Sequence, residues 1–375
     1  MINLVSDTID EKDISKLIDW LKTNPRLTKG PMTKKLEQKW ADYIGTKHAV
    51  FVNSGSSSIL LTMAALKVFK GFKKIAAPAV SWATDVSSPM LLGMETVLVD
   101  CNLENLSVDL TDLERVFKED QPDALILVSV LGLPPNLDAV VELCERYNVM
   151  LIEDNCESMG TKYKDKLIGS TGYASFFSTY FGHHISTIEG GFINTNDTDF
   201  YNALLMLRSH GWDRDLDPET QAALQKEHGI NEFNALYTFY KPGMNLRSTD
   251  LQAFIGMGSI DKLEGFSEVR NRNFNYYQEK LGEYNQLDLK YDGFVSNFAY
   301  PLVTDDKHAI YEKLKGKVEI RPLIAGNMAN HPMCADLKKR DLPNADLLHE
   351  KGLYLPNHQD LTLEDIDYIV DLILN

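Results

Sequence analysis

Short apolar runs alternate with longer stretches of helical periodicity through most of this 375-residue chain. The apolar runs 124–128 and 150–153, for example, flank the helical stretch 138–146. Apolar runs of this kind are typical of parallel strands covered on both faces, because a helix must cross over between two such strands. The pattern predicts an α/β protein with a largely parallel sheet between two layers of helices. Further predicted strands are 49–52, 74–77 and 96–99, and further predicted helices are 11–23, 32–43, 57–68 and 197–209.

A change of pattern after Ser248, where helices outnumber strands, predicts two domains. The chain is long enough for one large and one smaller domain. We assign residues 1–245 to a large domain that carries the sheet and begins with helices, and residues 246–375 to a small α+β domain. Polar and acidic residues dominate 213–227, which predicts an exposed excursion rather than core.

The formal net charge of −16 argues against a nucleic-acid surface or a patch for anionic membranes. No apolar segment approaches the length that a membrane-spanning helix requires, and the first residues do not combine a basic region with an apolar run. We therefore expect a cytoplasmic protein that binds neither nucleic acid nor membrane. A phosphate-bearing ligand would have to be held by local donors.

Two serine-containing segments are candidates for such donors. The sequence NSGSSS at Asn53–Ser58 follows a predicted strand and opens a helix, so that the N–H groups of Gly55 and Ser56 can bind a phosphate. Small-residue turns before helices are common, however, and an ordinary turn is the alternative. Ser178 is a second candidate donor, with a serine that bonds its own backbone as the alternative.

Candidate ring-binding residues follow two predicted strands. Trp82 lies after strand 74–77, at the sheet edge where ligands of such folds bind, and its indole can stack on a flat ring. A tryptophan of the core or rim is the alternative. Asp154 ends the apolar run in LIEDNCESMG and can hold a protonated ring nitrogen. Glu157 can face the same ligand, or it can be a solvated carboxylate at a helix start.

The segment Ser178–Gly191, STYFGHHISTIEGG, carries the most specific pattern. It resembles the cofactor loop of the fold-type-I aminotransferases that depend on pyridoxal phosphate (PLP) and modify nucleotide-linked sugars. In that family a serine stands five residues before the lysine that binds PLP covalently, and Gly-Glu-Gly-Gly follows shortly after. Both counts lead to His183 here. Further segments that resemble the family are Leu151–Gly160, Arg208–Trp212, Pro242–Arg247, Arg321–Asn327 and Asn357–Gln359.

The resemblance implies a seven-stranded, mostly parallel sheet with a smaller α+β domain, and it assigns roles to individual residues. Gly55, Ser56 and Ser178 would bind the phosphate of PLP, Trp82 would stack on its ring, Asp154 would pair with the ring nitrogen, and Glu157 would face the ring oxygen or the sugar. Asn245 would reach the cofactor phosphate of a neighbouring subunit, which implies a homodimer with shared active sites. Arg247 and Arg321 are candidates for a carboxylate or a diphosphate of the substrate, with plain surface ion pairs as the alternative.

Histidine in place of the lysine changes the implied chemistry. An imidazole cannot hold PLP covalently, but it can move protons near neutral pH. The implied enzyme binds PLP or pyridoxamine phosphate (PMP) non-covalently and uses His183 as acid and base. It removes the C3 hydroxyl from a nucleotide-linked 4-keto-6-deoxy sugar, with GDP-4-keto-6-deoxymannose preferred, and L-glutamate restores PMP. His184 is the competitor for this role, and Gly182 stands where the family has a small hydroxyl residue.

The cysteines and lysines bear on the alternatives. One histidine-bearing branch of the family has a cysteine-rich iron–sulfur site after the Leu-Arg-Ser-His-Gly segment, whereas 212–241 here contains no cysteine, so we expect no cluster. Cys101, Cys144, Cys156 and Cys334 form no C-x-x-C pair and are predicted to be buried, reduced thiols. An ordinary sugar aminotransferase would need a lysine from elsewhere, and Lys162, Lys164 and Lys166 precede Ser178 and do not fit the frame. A non-catalytic protein that binds a cofactor or a nucleotide sugar is the other alternative.

Overall fold

A computed structural model describes residues 1–375. The strands are β1 His48–Val52, β2 Lys74–Pro78, β3 Glu95–Val99, β4 Ala124–Val128, β5 Met150–Asp154, β6 Lys162–Tyr163, β7 Lys166–Leu167, β8 Ala174–Ser178, β9 Gly191–Thr195, β10 Gly293–Phe294, β11 Ala299–Val303, β12 Arg321–Pro322 and β13 Gly352–Pro356. The helices are α1 Glu11–Lys22, α2 Pro31–Ile44, α3 Gly55–Ala65, α4 Ala83–Leu91, α5 Leu110–Glu119, α6 Leu137–Tyr147, α7 Thr198–Arg208, α8 Pro218–Glu227, α9 Glu232–Ala235, α10 Asp250–Leu281, α11 Lys307–Leu314, α12 Pro343–Lys351 and α13 Leu363–Leu374. None of these helices has the length and apolar character needed to cross a membrane.

The central sheet has seven strands in the order β1-β9-β8-β5-β4-β2-β3. All of its strands run parallel except β9, which is antiparallel to both β8 and β1. The prediction of a mostly parallel sheet is confirmed, and the five predicted strands are β1 to β5. No helix crosses over between β8 and β9, because antiparallel neighbours can be joined by a loop. That loop, 179–190, carries both histidines and lies at the carboxyl edge of the sheet.

The five predicted helices correspond to α1, α2, α3, α6 and α7, with ends that differ by no more than three residues. A π-helical turn, Leu66–Lys70, continues α3. The sequence did not indicate α4, α5 or α8. Helix α8 has no buried residue, so no apolar periodicity marks it. The predicted exposed excursion 213–227 is therefore confirmed for α8, although Asp213 and Leu216 before it are buried.

After residue 246 the chain forms α10, 32 residues long, and an antiparallel sheet in the order β11-β13-β12. The carboxylate of Asp250, at the start of α10, accepts hydrogen bonds from the N–H groups of Gly30, Met32 and Thr33. Further along α10, the guanidinium of Arg270 donates to the carbonyls of Asn297, Phe298 and Asn357. The helix thus connects the segment before α2 with the small sheet. The division at residue 246 stays a prediction.

Candidate active site

The N-terminus of α3 forms a turn with free donors at the carboxyl edge of the sheet. The hydroxyl of Ser54 caps the helix by accepting from the N–H of Ser57 at 3.0 Å. The N–H groups of Gly55 and Ser56 have no partner in the chain. Free N–H groups and the helix dipole together favour an anion at this position. The geometry suits an anion such as a phosphate, and the residue that caps the helix, Ser54, was not among the predicted ligands.

Two glycines allow β8 and β9 to approach this turn. A Cβ atom at Gly55 would lie 2.5 Å from the Cβ and 2.8 Å from the Oγ of Ser178, and a Cβ at Gly191 would lie 2.7 Å from the nitrogen of Gly55. Real Cβ atoms do not come this close, so both positions require glycine. The hydroxyl of Ser178, at the end of β8, is thereby brought against the free donors of the α3 turn. Close packing against the α3 turn thus explains the second glycine of the Glu-Gly-Gly motif, Gly191.

Trp82 and Asp154 follow the ends of β2 and β5, two strands separated in the sheet by β4. Trp82 is the N-cap residue of α4 and is 56% exposed, so its indole is available to a ligand. Asp154 is buried, and its Oδ1 accepts a hydrogen bond from the N–H of Cys156 at 2.9 Å. Burial raises the pKa of Asp154, and the hydrogen bond from Cys156 opposes that rise.

Two more carboxyl groups, those of Asp85 and Glu157, lie near Asp154. Asp85, on the first turn of α4, is fully buried, and neither of its oxygens has a hydrogen-bond partner. Burial and the neighbouring charge of Asp154 raise the pKa of Asp85 well above its ordinary range. Glu157 is half-buried and accepts from the N–H of Leu131 at 2.9 Å. Burial raises the pKa of Glu157 to about 8, with a contribution from Asp154.

The two histidines have different surroundings. His184 is fully buried, and its Nε2 lies 2.9 Å from the carbonyl oxygen of Ser296, which it can contact only as a donor. His183 is half-buried, its ring lies 5.4 Å from that of Phe298, and its Nδ1 has no partner in the protein. Burial, aided by the charge of Arg270, lowers the pKa of His183 to about 4. Burial lowers the pKa of both histidines, but His183 is partly exposed and has a ring nitrogen without a partner, whereas His184 is held by the backbone.

The three remaining predicted residues, Arg247, Asn245 and Arg321, have partners outside the group of residues described so far. Arg247 is bridged to Val52 at the end of β1, and its guanidinium lies 5.6 Å from the ring of Trp212. Asn245 is exposed and is bridged to Ser209. Arg321 lies in the exposed strand β12 and pairs with Glu319. No hydrogen bond or ion pair joins Asn245 or Arg321 to His183 within one chain.

The lysines considered for a covalent link lie elsewhere. Lys162, Lys164 and Lys166 are exposed on or between the short strands β6 and β7, outside the central sheet. Lys164 is paired with Asp138 at 2.5 Å.

The four cysteines are unpaired, and no three histidine, cysteine or acidic side chains are arranged to bind a metal ion. The arrangement offers helix N–H donors that suit an anion, a cluster of buried acids and a neutral histidine, which suit binding of a phosphorylated nitrogen heterocycle and proton transfer beside it.

Residues 7–374 match the DegT/DnrJ/EryC1/StrS aminotransferase family, and the chain belongs to this family. Among curated relatives it is 32% identical to the GDP-4-keto-6-deoxy-D-mannose 3-dehydratase of Yersinia pseudotuberculosis, over 100% of this chain and 98% of that protein. The fold matches the Escherichia coli GDP-4-keto-6-deoxy-D-mannose 3-dehydratase with bound hydrated PLP, with a TM-score of 0.91, 31% identity and 99% of both chains covered. A variant GDP-4-keto-6-deoxymannose 3-dehydratase with bound GDP-perosamine matches at a TM-score of 0.91 and 30% identity, over 100% of both chains. The expected family and its fold-type-I architecture are confirmed.

Proposed function

We propose that this protein is a PLP- and PMP-dependent GDP-4-keto-6-deoxymannose 3-dehydratase, a lyase that removes the C3 hydroxyl of its nucleotide-linked sugar. The observation that carries the proposal is His183, a neutral and accessible histidine that stands where a sugar aminotransferase needs its lysine. Full-length similarity to two dehydratases of that name supports the substrate. The lysines considered as replacements are exposed and lie outside the central sheet, which speaks against the aminotransferase alternative.

The residues present fit the cofactor. The free N–H groups of Gly55 and Ser56, with the hydroxyl of Ser178 packed against them, suit a phosphate. Asp154 and the orphaned carboxyl of Asp85 form an acidic pair, and the anion of Asp154 suits a protonated ring nitrogen. Trp82 is exposed at the same edge and can cover a ring face. When bound, PMP would supply an amine for the 4-keto carbon of the sugar and an electron sink beside C3.

The side chains of this chain would move the protons. His183 is neutral at physiological pH because its pKa is lowered to about 4, so one ring nitrogen is free to accept a proton from C4′ of the bound cofactor. The resulting imidazolium is a strong acid in this position and can donate its proton to the departing C3 hydroxyl. Asp154 in its anionic form would keep the ring nitrogen protonated. L-glutamate would be the amino donor that restores PMP.

We also propose a homodimer with shared active sites, in the cytoplasm. Asn245 is exposed and makes no contact with the histidine of its own chain, as expected of a residue that serves a neighbouring site. Large apolar side chains are exposed nearby in sequence, with Phe233 at 81% and Tyr237 at 73%. Apolar exposure on this scale favours a protein interface. The four unpaired cysteines suit a reducing compartment.

The experiment is to incubate the purified protein with PLP, L-glutamate and GDP-4-keto-6-deoxymannose, to determine the mass of the sugar product, and to assay ammonia. The dehydratase is expected to give a sugar that has lost the C3 oxygen, with release of ammonia. A product that has gained nitrogen would identify an aminotransferase instead. Cofactor binding without turnover of any 4-keto sugar would identify a binding protein.

A further inference from the structure

Asp85 is a buried acid that was not among the cofactor-binding residues predicted from the sequence. It lies on the first turn of α4, one turn after Trp82, and its side chain is 0% exposed. Neither carboxyl oxygen accepts a hydrogen bond. The backbone of Trp82 favours the anion, but it is the smallest of the influences on the pKa of Asp85. A buried carboxylate without donors is costly, so a specific neighbour must account for Asp85.

That neighbour is Asp154. An interaction between the two side chains contributes to the pKa of both, raising that of Asp85 and lowering that of Asp154, although both are acceptors when ionised. Cys156 and Glu157 are the other titratable groups that face them, and neither supplies a positive charge. Two buried carboxyl groups that interact directly cannot both ionise near neutral pH, and a single proton between them satisfies both.

The surroundings decide which of the two carries the proton. Asp154 accepts a hydrogen bond from the N–H of Cys156 at 2.9 Å, and a donor of this kind favours the anion. Asp85 has no such donor. Burial raises the pKa of both groups, but that of Asp85 is raised further because the charge of Asp154 adds to burial. Asp85 is thus the acid of the pair and Asp154 the anion.

We propose that Asp85 and Asp154 share one proton, and that Asp85 is a positioning residue whose O–H donates to Asp154 and directs the other carboxylate oxygen towards the pyridine nitrogen of the cofactor. The second half of this inference rests on the proposed function. The shared proton itself does not, because it follows from the two carboxyl groups alone.

Cofactor affinity tests the positioning role. Asparagine keeps the size of protonated aspartic acid and supplies an N–H donor, so Asp85→Asn is expected to bind PMP nearly as tightly as the unmodified protein. Asp85→Val keeps much of the volume but removes the donor, and its affinity is expected to fall by about 10-fold, as for a lost buried hydrogen bond. Equal affinities for the two variants, whether both strong or both weak, would overturn the proposal.

Infrared spectroscopy tests the shared proton without any ligand. In full-length protein labelled with carbon-13 at the aspartate carboxyls, a protonated carboxyl stretch that shifts with the label is expected at pH 7. The label separates it from Glu157, and Asp85→Asn should abolish it, whereas Asp109→Asn at the cap of α5 should not. Absence of this band at pH 7 would refute the shared proton. Failure to bind PMP with the band present would instead count against the proposed function.

Discussion

Gly55 and Ser178 are packed so closely that a Cβ on the glycine would lie 2.5 Å from the Cβ of the serine. Gly55→Ala must therefore push β8 away from the α3 turn, and we expect a loss of stability of about 1–3 kcal/mol together with weaker binding of PMP. Urea unfolding and a PMP titration measure the two effects. Gly265→Ala is the matched control, because a Cβ on Gly265 in α10 would meet nothing within 4 Å, and this variant should be neutral or slightly stabilising. Normal stability and affinity of Gly55→Ala would contradict the packing.

His183→Asn should keep PMP binding and lose dehydration by about 10²–10⁴-fold, the usual contribution of a general acid–base group. Stopped assays of ammonia release, with PMP affinity measured in parallel, test this. His184→Asn is the comparison: because His184 donates to the carbonyl of Ser296, its replacement should lower the unfolding midpoint more than it lowers the rate. A full dehydratase rate in His183→Asn would exclude His183 as the base.

His183→Lys should bind PLP covalently without restoring dehydration.

Glu157 should make the cofactor-free protein less stable as the pH rises. Burial raises its pKa from 4.5 to about 8 in the folded state, so the folded protein binds this proton more tightly than the unfolded chain. Between these two values the unfolded state has lost the proton and the folded state has kept it, and the stabilisation from Glu157 is progressively lost with rising pH. Glu157→Gln should remove the dependence.

The measurement is the difference in urea midpoint between Glu157→Gln and the unmodified protein, taken from pH 5 to pH 8. We expect this difference to grow in favour of the variant as the pH rises. Glu119→Gln, at an exposed position on α5, is the control and should show no trend. A constant difference for Glu157→Gln would mean that the carboxyl ionises normally.

Trp82→Leu should weaken PMP binding by about 10-fold and leave stability almost unchanged, since aromatic stacking contributes up to about 1.5 kcal/mol and the indole is largely exposed. Fluorescence or absorbance titration measures the affinity. Leu91→Ala, at the other end of α4 and 78% exposed, controls for effects on the helix itself. If Trp82→Leu lost stability rather than affinity, the indole would be a packing residue.

Shared active sites predict complementation between two inactive variants. His183→Asn and Asn245→Asp should each be inactive alone, because one loses the base and the other places a negative charge near the neighbouring phosphate. Mixed dimers contain one site with both native residues, so co-expression should restore part of the activity. Co-expression without any recovery would place Asn245 in the same site as the His183 of its own chain.

The sequence predicted those parts of the fold that bury apolar surface in a regular pattern. Strand β4 is buried at every position, and its apolar run was found with the same ends. Helix α4 was not found, because Thr84, Ser87, Ser88 and Pro89 are poor helix formers and little amphipathic pattern remains. Asp85 lies on that helix, so the acid next to Asp154 had no signal in the sequence.

The candidate site was predicted where a residue follows a strand or stands at a fixed interval in a motif. Asp154 and Ser178 are the last residues of β5 and β8, so the parallel sheet brings them to one edge. Arg321 was assigned from a motif alone, and in one chain it is exposed and paired with Glu319. No spacing rule could place it, because its position depends on packing between segments that are distant in sequence.

Helix α10 has a mechanical consequence for the enzyme. The first residue of the helix, Asp250, accepts hydrogen bonds from the segment Gly30–Thr33. Arg270 lies about 30 Å further along, at 1.5 Å per residue, and donates to the carbonyl of Phe298, which precedes the small sheet. A continuous helix that is bonded at both points transmits displacement instead of absorbing it. A displacement of Phe298, whose ring lies 5.4 Å from that of His183, would therefore be transmitted to the start of α2.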